Sequence, residues 1–167
     1  MKTILKSINN NKLIGMNILL NNNFDNRYVN IMEPTKNFVI RNGYFYKFIY
    51  LTDEIKLTNL IFELKLTNVN IVKQLTNKYI LYFEKNKDNL KELSKVIDIE
   101  RLILEKLQLK FNNRPSYELS RILQSNSIRI YTNNNLSEKY NTFSLKIKFS
   151  GVWKDKERYG VTYKFLN

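Results

Sequence analysis

The sequence predicts a mainly β chain: a small five-stranded β-barrel with a helical insert between the third and fourth strands. Three observations lead there. Residues 38–83 hold closely spaced runs of aromatic and β-branched residues. From Asp88 the apolar period becomes that of a helix. The last 25 or so residues read as a hairpin of strict apolar/polar alternation.

Residues 1–35 are polar with short apolar pieces, Leu13-Ile14 and Ile18-Leu19-Leu20, and read as an N-terminal arm or a peripheral strand pair. The barrel domain takes residues 36–167. Phe38-Val39-Ile40, a turn at Asn42-Gly43 and Tyr44–Leu51 open it as strands. Leu57–Leu66 follows, with a break near Thr67-Asn68, and Ile71–Leu75 continues it or forms a short separate strand. Tyr79–Phe83 is the third strand. Asp88 suits a helix N-cap. Leu90, Leu93, Val96 and Ile97 then share one face up to about Leu107, and Asn112–Pro115 ends the helix. Ser116–Gln124 reads as a short second helix opened by a capping residue, and Ile128–Tyr131 returns to strand. In the terminal hairpin Phe143, Leu145, Ile147 and Phe149 alternate with Ser144, Lys146, Lys148 and Ser150, answered by Tyr159, Val161, Tyr163 and Phe165. This order is the layout of an OB-type barrel, whose helix lies between its third and fourth strands.

The chain has 167 residues, 43% of them hydrophobic, enough for the core of one domain. Cys and His are both absent. That excludes disulfides, thiolate or imidazole metal sites, and Ser–His or Cys–His catalysis. There are 25 Asn and no Ala. The favoured residues share AT-rich codons, so the bias reports the genome more than the chemistry. The Asn clusters at 9–11, 21–23 and 133–135 read as loops. No signal peptide or membrane span is evident, so a soluble, cytoplasmic protein is expected.

Lys and Arg number 28 against 15 Asp and Glu, a net charge of +13. The excess lies in residues 1–52 and 139–167, which carry +5 each, whereas the 86 residues between carry +3. Balanced charge on a helix is a solvated face. An excess on strands points to a polyanion, since phosphate neutralisation by Lys and Arg supplies sequence-independent affinity for nucleic acid. Generic solubility and AT-rich Lys codons compete as explanations, but they do not place Lys146, Lys148 and Lys164 opposite the apolar face of one hairpin. In the strand after Gly43, Tyr44, Tyr46, Phe48 and Tyr50 share a face, which could be a base-stacking platform or core. Trp153 opens the turn Trp153-Lys154-Asp155-Lys156-Glu157-Arg158 and could stack on a base or cap the barrel end. The candidate nucleic-acid-binding set is therefore Arg41, Lys47, Lys146, Lys148, Lys154, Lys156, Arg158 and Lys164 for phosphates. Tyr44, Tyr46, Tyr50, Trp153 and Tyr163 are the candidates for bases.

Enzyme signatures are missing. With four glycines the chain holds neither a GxxxxGK[ST] loop nor a GxGxxG fingerprint. The carboxylate pairs Asp53-Glu54, Asp98/Glu100 and Asp155/Glu157 read as structural. No catalytic residue, metal or cofactor is expected.

The stretch Leu145–Trp153 followed by Tyr159-Gly160-Val161-Thr162-Tyr163-Lys164-Phe165 resembles a recurring ending, "LKIxGIW…YGLTYKF". It belongs to small single-stranded-DNA-binding proteins of large eukaryotic DNA viruses and related virus-like replicons. Gly43–Tyr50 and Leu57–Phe62 resemble the first two strands of the same proteins. The AT-saturated composition also suits cytoplasmic linear plasmids of yeast. These matches cover about a third of the chain. The resemblance implies an OB-fold that coats single-stranded DNA during replication. Self-association through barrel edges and contacts with replication proteins are compatible with it. The chain ends Lys164-Phe165-Leu166-Asn167, without the acidic tail by which some phage relatives recruit partners. Two alternatives stand beside this reading: an RNA-binding or transcription accessory factor, and a structural or assembly protein whose basic face meets an acidic partner.

Overall fold

The computed structural model describes residues 24–53 and 56–166. A 3-10 turn, Asn26–Tyr28, leads into β1 (Val29–Ile31), β2 (Thr35–Asn37), β3 (Gly43–Leu51), β4 (Lys56–Leu57), β5 (Leu60–Leu75) and β6 (Lys78–Phe83). Helix α1 (Lys87–Gln108) follows, then β7 (Arg114–Ser116), α2 (Glu118–Leu123), β8 (Ser127–Tyr131), β9 (Lys139–Lys154) and β10 (Arg158–Leu166). The Asn clusters at 9–11 and 21–23, the apolar pieces at 13–20 and Glu54 lie outside the described residues.

Strand β9 organises the sheet. One of its edges pairs with β5 from Leu60↔Phe149 to Asn70↔Lys139, and then with β3 from Tyr44↔Lys154 to Lys47↔Gly151. Its other edge pairs with β10. The hand-over from β5 to β3 coincides with a bulge. Thr162 faces Gly151 and Tyr163 faces Phe149, which leaves Ser150 as the extra residue. Gly151 is obligatory there, because a Cβ would stand 2.2 Å from the Tyr46 carbonyl oxygen. Beyond β5 the sheet continues through β6 to β8; β1, β2 and β4 flank β3. Every pairing is antiparallel except β7 with β10.

The sheet is open, which corrects the expected closed barrel. No ladder joins β8 to β10. Helix α2 packs against both strands, and the start of β10 spends its outer edge on β7, so side chains rather than backbone hydrogen bonds cover the gap. The sheet also holds more strands than five.

Inner-face side chains Phe48, Phe62, Leu64, Leu81, Leu145, Ile147 and Phe149 meet Leu93, Val96, Ile103 and Leu104 of α1 in one core. The terminal hairpin follows the alternation read from the sequence, with Phe143, Leu145, Ile147 and Phe149 all buried. Several local expectations are corrected. Phe38-Val39-Ile40 is a bend rather than a strand: the Asn37 side chain accepts the Val39 and Ile40 N–H groups and turns the chain. The break at Thr67-Asn68 lies inside one continuous strand, where Asn68 takes a left-handed φ of 54°. Asn86, not Asp88, caps α1, its side chain accepting the Asn89 N–H. Leu90 is exposed. Ser116 belongs to β7, and α2 begins after Tyr117 with no side-chain cap of its own.

That missing cap comes from another helix. Glu100 of α1 is fully buried, and its carboxylate accepts the Leu119 N–H at 3.1 Å and the Ser120 N–H at 2.8 Å. The first segment is held in a similar way. Lys106 Nζ donates to the carbonyls of Asn26, Arg27 and Val29 at 2.7–2.9 Å, and Phe24 packs edge-on against Phe62 at 5.5 Å. Residues 24–31 are thereby joined to the same core.

Candidate nucleic-acid interface

Side chains alternate across a strand, so one register decides what shares a face. Along β3, Tyr44, Tyr46, Phe48 and Tyr50 do share one, but it is the inner face, and its character changes along the strand. Phe48 and Tyr50 lie under α1 and the first turn. Tyr50 is 4% exposed, and its hydroxyl accepts the Asp25 N–H at 3.3 Å. Tyr46 is half-buried and Tyr44 is 47% exposed. The expected four-aromatic platform is thus two residues long, and Tyr50 is withdrawn from it as core.

The chain leaving α1 sets where the core stops. Phe111 meets Tyr46 ring to ring at 4.9 Å and Tyr159 at 5.2 Å. Past it the inner face opens into a groove of about 490 Å³. Met32, Glu33 and Pro34 line it from the β1–β2 connection, Lys110 to Asn113 from the helix exit, and Tyr46 and Lys154 from the sheet. Burial first, then the nearby Tyr44 and Glu33, push the Tyr46 hydroxyl above its ordinary range, so the ring faces the groove neutral.

At the groove's edge the ladders align a row across three strands. Lys36 is the register partner of Tyr44, and Tyr44 that of Lys154. An exposed aromatic ring therefore stands between two lysines, and Lys154 Nζ lies 5.8 Å from the Phe111 ring centre. The next turn carries Lys156 and Arg158, with Arg158 beside Arg114 in the parallel pair. This turn is fixed. Asp155 Oδ1 accepts the Glu157 and Arg158 N–H groups at 2.8 and 2.7 Å, and Asn113 Nδ2 donates to the Lys156 carbonyl at 2.8 Å. Desolvation pushes the Asp155 carboxyl up, but the Arg158 and Glu157 N–H groups outweigh it and hold the carboxyl below its usual range. Among the described residues, none of Lys36, Lys110, Arg114, Lys154, Lys156 or Arg158 forms an ion pair.

The remaining candidates lie elsewhere. Lys47, Lys146, Lys148 and Lys164 project from the opposite, outer face, where Lys148 and Lys164 are direct register partners. Trp153 is on that face too, opposite Phe45 and with its indole laid over Gly160. Tyr163 is on the inner side, packed edge-on against Phe165 at 5.6 Å. It is half-buried against the core, and burial pushes its hydroxyl up to about 12. Arg41 is exposed in the loop between β2 and β3. The structure thus gathers Tyr44, Tyr46 and Lys154 on one face at one end of the sheet, with Lys156 in the turn beyond, and leaves a second basic patch behind it. Arg158, next to the buried Tyr159, turns away from the groove and lines a separate hollow with Ser116, Tyr117, Glu118 and Arg121. Lys36, Lys110 and Phe111 join the first group. Nothing in the linear sequence marked them, because their proximity comes from the β2–β3 register and from the path of the chain after α1.

Comparison of the chain with protein-family models, with curated proteins and with solved structures returns no match.

Proposed function

We propose that this protein binds single-stranded nucleic acid without sequence preference, coating unpaired DNA during replication of a virus-like element, and that the groove end of the sheet is its primary contact. The row Lys36–Tyr44–Lys154 beside the Tyr46–Phe111 groove carries this reading. Unpaired strands need alternating aromatic surfaces for bases and cations for phosphates, and stacking tolerates every base because each has a π-face. The groove carries one acidic side chain, Glu33, against Lys110 and Lys154, which suits a polyanion. The net charge of +13 supplies long-range attraction. The role is binding without chemistry, in keeping with a sequence that has no His and no Cys.

The OB-like part of the reading rests on strand layout. Helix α1 follows β6, and β9 pairs with β3, β5 and β10, while β8, paired with β6, is additional to a five-stranded layout. The resemblance of residues 145–165 to viral single-stranded-DNA-binding proteins points the same way.

Fluorescence anisotropy tests the proposal with labelled single-stranded DNA, the corresponding duplex and the matching RNA at several salt concentrations. Preference for the DNA single strand is expected, with log affinity falling by about 0.7 per phosphate contact for each decade of salt. Preference for RNA would move the role to an RNA-binding or transcription factor. Equal affinity for all three would reduce the charge to nonspecific attraction and favour an assembly protein. No binding near physiological salt would overturn the proposal.

A further inference from the structure

The bend between β2 and β3 presents the most exposed apolar side chains of the described residues apart from Leu109: Phe38 is 89% and Val39 95% exposed. Two adjacent apolar side chains this exposed at the tip of a fixed loop suit a contact with a partner. The loop is preorganised. Asn37 Oδ1 accepts the Val39 N–H at 3.0 Å and the Ile40 N–H at 3.3 Å, and the Gly43 N–H donates to the Ile40 carbonyl at 2.9 Å. Asn42 adopts a left-handed φ of 56°. Ile40 folds back so closely on Gly43 that a Cβ there would meet its Cβ at 2.8 Å. Ile40 is thereby drawn inward while Phe38 and Val39 point away from the body.

We infer that Phe38 and Val39 form a wedge that enters between neighbouring bases where a duplex opens into the single strand held by the groove. The inference rests on the proposed single-strand binding. Its own support is continuity and charge. Lys36, two residues before the tip, is the first member of the Lys36–Tyr44–Lys154 row, and Arg41 follows the tip on its other side. An apolar wedge flanked by cations on a polyanion-binding surface is the arrangement that unstacks a base step while the phosphates on either side stay neutralised. A lipid surface would be met by the same two side chains, but their sequence neighbours Lys36, Asn37, Arg41 and Asn42 are polar and Ile40 is half-buried.

The test compares the full chain with the double variant Phe38→Ser/Val39→Ser, whose sites are too exposed to carry the fold. Three readouts are taken: anisotropy with a single-stranded oligonucleotide, release of a labelled strand from a forked duplex, and co-flotation with vesicles of anionic lipid. The expected result is single-strand affinity within about twofold of the parent and fork opening reduced by at least about fivefold, the scale of losing one stacked contact. Equal fork opening by the two proteins overturns the wedge, as does a parent that binds single strands but opens no fork; both leave the binding role standing. A parent that binds no single strand brings down the binding role and the wedge together. Vesicle flotation lost in the variant, with fork opening unchanged, overturns the wedge and assigns the tip to a membrane surface.

Discussion

The carboxamide of Asn89 pairs with the backbone of Thr67 as a neighbouring strand would. Asn89 Oδ1 accepts the Thr67 N–H at 2.7 Å while Nδ2 donates to the Thr67 carbonyl at 3.0 Å. Nδ2 also donates to the Glu84 carbonyl at 2.8 Å, so a fully buried amide has its polar atoms used. This contact ties the first turn of α1 to β5 where Asn68 takes its left-handed φ and the inner-face alternation of the strand shifts from Leu66 to Val69.

Asn89→Ala is expected to cost about 1–3 kcal/mol of stability, since the part-buried Thr67 N–H and the Thr67 and Glu84 carbonyls lose their partners. Asn89→Asp should be no better, because it turns an acceptor toward two carbonyls. Urea unfolding measures both. A loss under about 0.5 kcal/mol in Asn89→Ala would show that water or a shift of the chain satisfies these groups.

Glu100 gives the fold a pH dependence of definite sign. Desolvation holds its carboxyl above the ordinary Glu range even though the Ser120 hydroxyl and the Ser120 and Leu119 N–H groups favour the anion. The native state therefore binds this proton more tightly than the unfolded chain does. Its contribution is greatest below the unfolded value of about 4.3 and is lost as pH rises through the raised native value. The lowered carboxyls, Asp25 and Asp155, have finished titrating below that window, and the chain has no His to mask the slope. Melting temperature should fall in the parent as pH rises from about 4.3 through the raised native value, and less steeply in Glu100→Gln. The Glu100→Gln variant should itself be less stable at about pH 5 by about 1–3 kcal/mol, because one of the two polar ends of the new amide faces an N–H donor. Parallel pH profiles for the two proteins would remove Glu100 as the source.

What could be read from the sequence follows from how far apart the interacting residues lie. The Phe143–Phe149 alternation and its Tyr159–Phe165 answer are a local pattern, and the hairpin matches it. The period of α1 is local too, and its buried face holds apart from Leu90. The three features that shape the rest are contacts at a distance: Glu100 capping α2, Lys106 holding residues 26–29, and Asn89 bracing Thr67. Each looks like an ordinary polar helix residue in the sequence. The candidate site shows the same limit. Period two put Tyr44, Tyr46, Phe48 and Tyr50 on one face, yet only the position of Phe111 decides where that face stops being core. Trp153 and Lys154, adjacent in sequence, end on opposite faces.

The two buried glycines of the β9–β10 region should respond differently to one added methyl. At Gly160 a Cβ would meet the Trp153 ring at 2.8–2.9 Å, a side chain that can tilt outward. At Gly151 it would meet backbone at 2.2 Å and the Phe45 ring at 2.6 Å, with nowhere to go. Gly160→Ala should cost about 1–3 kcal/mol and shift the emission of the single Trp to the red. Gly151→Ala should lower expression or prevent folding. Unchanged Trp emission in Gly160→Ala would show that the indole does not lie on Gly160.

The two basic faces can be ranked by the same oligonucleotide assay. Tyr44→Ala removes the ring between Lys36 and Lys154 and should weaken single-strand binding by about 1–3 kcal/mol, with the salt slope nearly unchanged, because stacking releases no counterion. Lys154→Ala should do the reverse, a smaller loss with the slope reduced by about 0.7. The paired change Lys148→Ala/Lys164→Ala, on the outer face, should weaken binding less than Lys154→Ala if the groove end is the primary contact. Both outer lysines are partly or fully solvent-exposed and make no ion pair among the described residues, so the variant should keep its fold. A larger loss in the outer pair than in Tyr44→Ala and Lys154→Ala would transfer the site to the face of Trp153, where Phe45 and the indole would become the stacking surface.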